Sequence, residues 1–109
     1  MSNINEENLA TIVIDLSPET IDESYLRMLG GQIELLLTTM FGGSFIPAKF
    51  RGTNTQISSF ARALGNEKRY LQSFEKFGLG DSRTLDNRHK LEKAIGGFES
   101  ETGIKWPFK

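Results

Sequence analysis

The feature that most restricts this chain is a change of apolar period near its start. Leu9 to Leu16 alternates, with Ile12, Ile14 and Leu16 on one side and Thr11, Val13 and Asp15 on the other. A two-residue period is that of a β-strand. Past Ser17-Pro18-Glu19 the apolar residues recur every three or four positions, at Ile21, Tyr25, Met28, Leu29, Ile33, Leu36 and Met40. That is the buried stripe of an amphipathic helix. Ser17 is expected to cap it, Pro18 to take its first position, and Glu19, Asp22 and Glu23 to face its positive end. Gly30-Gly31 either ends a first helix or lets something pack closely, and in the first case Gln32 to Phe41 becomes a separate helix or a strand.

Gly42-Gly43 ends this element. Phe45 to Arg51 alternates again and predicts a second strand, with Pro47 placing it at a sheet edge or at a bulge. Thr53 and Gln56 match a capping box, opening a helix with Ile57, Phe60, Ala61, Leu64, Leu71 and Phe74 at helical spacing. This helix is expected to end at Phe77, with Gly78 in the left-handed position and Leu79 making the accompanying apolar contact. Asp81 to Thr84 offers caps for a third helix, which buries Leu91, Ile95 and Phe98 and ends at Gly103. An extended tail, Ile104 to Lys109, follows.

The expectation is one α+β domain over residues 1–109, with 1–8 frayed. Three helices pack on a small two- or three-stranded sheet in the order strand-helix-strand-helix-helix. A parallel crossover and an antiparallel pair are both open for the strands. A third strand could come from the tail, from Gln32 to Phe41, or from a second copy.

Composition narrows the chemistry. The 109 residues include no cysteine and one histidine, which removes thiolate metal sites, disulfides and most histidine-based zinc sites. No metal and no cofactor is expected. His89 lies in the basic run Asn87-Arg88-His89-Lys90 and reads as a surface residue, not a general base. No Gly-x-Ser-x-Gly nucleophile elbow is present. The chain reads as non-enzymatic. The polar N-terminus and short apolar runs predict neither a signal peptide nor a membrane span, hence a cytoplasmic location.

Three sets of residues remain as candidate sites. Arg51, Gly52, Thr53 and Thr55 pass from a strand through glycine into a helix N-terminus, the setting of an anion site. Arg62, Lys68, Arg69, Arg88, Lys90 and Lys93 are candidate nucleic-acid contacts along the second and third helices. Trp106 and Phe108 stand on the proline-stiffened tail, which either folds back over the helices or docks a protein partner, a second copy being the favoured one. Charge adds to this. The net charge is -1, yet residues 1–48 balance to -6 and residues 49–109 to +5. Whether folding separates the two halves or presses them together decides what that asymmetry means.

Arg51-Gly52-Thr53, Glu67-Lys68-Arg69-Tyr70, Gly78-Leu79, Asp81-Ser82-Arg83-Thr84 and Thr102-Gly103-Ile104-Lys105-Trp106-Pro107-Phe108-Lys109 together resemble small uncharacterised proteins of marine tailed phages, including those of cyanobacteria. The resemblance covers the second half of the chain. It implies a phage accessory or structural protein made in a bacterial cytoplasm, and it brings no activity, cofactor or functional residue with it.

Overall fold

The computed structural model describes residues 11–43 and 46–108. The fold is α+β, in the expected order: β1 (Ile12–Asp15), α1 (Glu23–Phe41), β2 (Ala48–Arg51), α2 (Asn54–Phe77) and α3 (Ser82–Thr102). Among the described residues the sheet has two strands, paired parallel with Ile12 opposite Ala48 and Asp15 opposite Arg51. The helical connection between the strands is therefore a crossover, and neither the tail nor Gln32 to Phe41 adds a strand. Leu9 and Phe45, expected in the strands, lie outside the described residues. Pro47 precedes β2 and supplies only its carbonyl, which accepts from the Ile12 N–H at 3.1 Å. A residue without an N–H fits there.

The first helix starts later than its local signals predict. Asp22, not Ser17, is the cap and accepts from the Tyr25 N–H at 2.8 Å. Ser17 is used elsewhere: its hydroxyl donates to Gln56 Oε1 at 2.9 Å, tying the end of β1 to the start of α2. Tyr25 reinforces the junction by donating its hydroxyl to the Asp15 carbonyl. Burial, and the nearby Asp15 carboxylate, push the Tyr25 phenol up to about 12. Gly30-Gly31 does not break α1. Gly30 faces the tail, where a Cβ would make an ordinary contact with Pro107 Cβ at 3.5 Å.

At the start of α2 the capping box forms as expected, with Gln56 N–H donating to Thr53 Oγ1 at 3.1 Å and Thr53 N–H donating to Gln56 Oε1 at 2.8 Å. At its end Gly78 has φ 86° but ψ 168°, so it is not in the left-handed helical conformation, and Leu79 is exposed instead of contacting the helix. Asp81 caps α3, and Gly103, at φ 75° and ψ 3°, ends it in the left-handed conformation.

α2 and α3 form an antiparallel hairpin. Its root, with β1, α1 and the tail, encloses the core of Ile14, Leu16, Leu29, Ile33, Phe60, Phe98, Ile104 and Trp106. Rings hold its centre: Phe98 meets Trp106 edge-on at 5.3 Å between centroids, and Phe60 lies 6.0 Å from each. With 24 residues α2 is about 36 Å long against about 28 Å for the 19-residue α1. Both helices leave the same end of the sheet, and Phe41 at the end of α1 borders cavities with Leu71, Phe74 and Phe77 from the last turns of α2.

Candidate functional site

The tail decides what the surface offers. Of the two candidate partner contacts on the tail, Trp106 folds back into the core: it is 2% exposed and its indole N–H donates to Glu67 Oε1 at 2.9 Å. Alternate residues of an extended tail point the same way, so Ile104 and Trp106 enter the core together and the tail folds back on the helices. Glu67 is itself 4% exposed, and burial raises its pKa despite the opposing effect of the indole hydrogen bond. Phe108, by contrast, stays 37% exposed and packs edge-on against Trp106.

Phe108 sits in a groove over α2, between α1 and α3. On the α1 side a cleft of about 420 Å³ is walled by Leu37, Phe41, Tyr70 and Leu71. Further along α2 the groove continues between Phe41, Leu71, Phe74 and Glu75. Tyr70 stacks on Phe74 at 6.5 Å, and Phe41 and Phe74 remain 44% and 43% exposed. This apolar face continues the groove beside Phe108, with which it shares the walls Phe41 and Leu71. Its rim carries Glu34 on α1 and Glu75 on α2, and Arg88 borders the groove from α3.

The expected anion residues do not converge. Gln56 Oε1 accepts from both Thr53 N–H and the Ser17 hydroxyl, so the carboxamide oxygen takes the donors an anion would need. Gly52, at φ 151°, leaves no room for a side chain beside that oxygen. Thr55 lies apart from Arg51, in a small cavity with Ser58, Arg62 and Gly97.

The basic residues divide into two groups. Arg62, Arg69 and Lys76 recur at seven-residue spacing on α2, nearly two turns apart, and share one side of the hairpin. Arg69, Lys76, Ser73 and Asn87 line one depression on that side, and Arg62, Ser58 and Gly97 line the other. Lys90 and its neighbour Lys93 lie on the same edge of α3, between Asn87 and Gly97. Lys68 faces another side of α2, and Arg88 lies across the hairpin beside Tyr70 and Phe108. Lys76, missing from the expected set, belongs to the row; its spacing from Arg62 and Arg69 was the available signal.

The three ion pairs among the described residues, Asp81–Arg83, Asp86–Lys90 and Arg88–Glu92, all lie within α3 and its cap. None of them joins residues 11–43 to the later half. His89 is exposed, as expected. Among the described residues no acid or histidine cluster could hold a metal ion, and no helix is long and apolar enough to cross a membrane. Comparison with protein-family models, curated proteins and solved structures returns no match.

Proposed function

We propose that this chain is a non-enzymatic assembly module that pairs with a second copy of itself through the distal face of Phe41, Leu71 and Phe74. The observation that carries the reading is the continuity of that face with the core groove. The same groove that holds Trp106 and Phe108 runs on with large apolar walls and no cover. Burying exposed aromatic area drives association. A second copy suits the face because its rim can complement itself: Glu34 and Glu75 on the α1 side would compete for Arg88 of the other molecule, across a two-fold axis, with the Glu92 that lies 3.6 Å from it. An accessory or structural protein of a tailed phage, working in a bacterial cytoplasm, is the setting this reading adopts.

Light scattering across a concentration series tests it. The wild-type chain is expected to shift from one to two copies as concentration rises. Phe74→Asp should stay single with unchanged circular dichroism, while Val13→Asp, on the exposed side of the sheet, should still pair. A wild-type chain that stays single at every concentration, or an undiminished Phe74→Asp dimer, overturns the proposal.

A further inference from the structure

We infer that the side of the α2–α3 hairpin carrying Arg62, Arg69, Lys76 and Lys90 binds the phosphate backbone of a nucleic-acid duplex. Arg62, Arg69 and Lys76 are all exposed, and none of them is in an ion pair among the described residues. They stand about 10 Å apart in a straight row on one continuous helix. Small or hydrogen-bonding residues, Ser58, Ser73, Asn87 and Gly97, line the surface beside them, with Phe41 and Phe77 bordering its distal end.

Opposing charge is limited. Asp86 is paired with Lys90 at 3.2 Å, Asp81 is held by Arg83 at 2.9 Å, Glu101 borders the end near Arg62, and Glu75 borders the depression beside Arg69 and Lys76. With Lys90 offset by Asp86, the cationic excess rests on Arg62, Arg69, Lys76 and Lys93 against Glu75 and Glu101. A rigid linear array matches the fixed phosphate lattice of a duplex better than it matches a flexible strand. Single-strand binding relies on open aromatic platforms, and the ring nearest the row, Phe77, carries the Arg83 guanidinium over its face at 3.5 Å. Contacts to phosphate alone carry no base readout, so binding should be independent of sequence. The inference does not depend on pairing through the apolar face: Leu71 and Phe74 lie on another side of α2, and only Phe41 and Glu75 border both surfaces.

The test is fluorescence anisotropy with a labelled DNA duplex. Three phosphate contacts, by Arg62, Arg69 and Lys76, imply a loss of ~40-fold in affinity when salt rises fourfold from about 50 mM. Arg62→Glu/Arg69→Glu/Lys76→Glu should weaken binding more than tenfold. Arg27→Glu/Lys68→Glu/Lys105→Glu, with the same change in net charge but off this side, should retain most of it. Both variants should keep the wild-type circular dichroism. Equal losses in the two variants, or no binding at low salt, would overturn the inference. So would polyglutamate competing as well as unlabelled duplex, since it would identify an acidic protein as the partner; a single strand preferred over duplex would contradict it too.

Discussion

Glu67 and Trp106, 39 positions apart, form a buried pair in which the only indole of the chain donates to a carboxylate that is 4% exposed. The bond fixes the depth of the tail in the groove. Seating Trp106 at that depth places Pro107 against Gly30 and Phe108 beside Tyr70. The contact thus sets where the tail lies along the groove, with the face of Phe41, Leu71 and Phe74 beyond it.

Burial raises the pKa of Glu67, so the folded state holds its proton to higher pH than the unfolded chain does. The stability this group contributes is full below the ordinary carboxylate range and is lost as pH rises through the raised value. Glu67→Gln keeps an oxygen for the indole and removes the charge. Its melting temperature should exceed that of wild type at about pH 7.5 and converge with it near pH 4. A variant less stable than wild type at the higher pH would show that the charged hydrogen bond outweighs desolvation.

Gly52 is held at φ 151°, and a Cβ there would meet Gln56 Oε1 at 2.7 Å and Leu16 Cβ at 3.2 Å. Gln56 cannot swing away without releasing Thr53 N–H and the Ser17 hydroxyl. Gly52→Ala should therefore cost about 2 kcal/mol, combining backbone strain with a weakened cap. Urea unfolding measures it, and an unchanged midpoint would refute the account of this junction.

Thr84 is 1% exposed, and its hydroxyl is buried without a hydrogen-bond partner. Thr84→Val preserves the shape and removes the unsatisfied group, so it should raise stability by about 1 kcal/mol. A lower urea midpoint for the variant would mean that the hydroxyl has a partner after all.

The elements readable from sequence were those whose signals are local. Thr53 with Gln56, and Asp81, lie within a turn of the N–H groups they cap, and Gly103 ends its own helix, so these boundaries need no tertiary information. Ser17-Pro18 carries an equally good helix start. It fails because Ser17 is claimed by Gln56, a residue on another element, and the helix waits for Asp22. The candidate sites show the same division. Helical spacing alone separates Arg62 and Arg69 from Lys68. It cannot show that Arg88 lies across the hairpin from Lys90, because that depends on where α2 and the tail cover α3. Nor could it show that Trp106 faces inward, since its acceptor, Glu67, is a charged residue in the middle of a polar helical run.

The pairing of two copies through the distal face is tested most directly by placing a probe at each end of the molecule. The chain has no cysteine, so Glu75→Cys and Glu19→Cys each carry a single spin label. Glu75 borders the apolar face, and Glu19 lies near the opposite, sheet end of α1. Labels at position 75 should show a dipolar coupling between molecules that grows with concentration and vanishes in the Phe74→Asp background, while labels at position 19 should show none. Coupling at 19 and silence at 75 would place any association elsewhere and contradict the account.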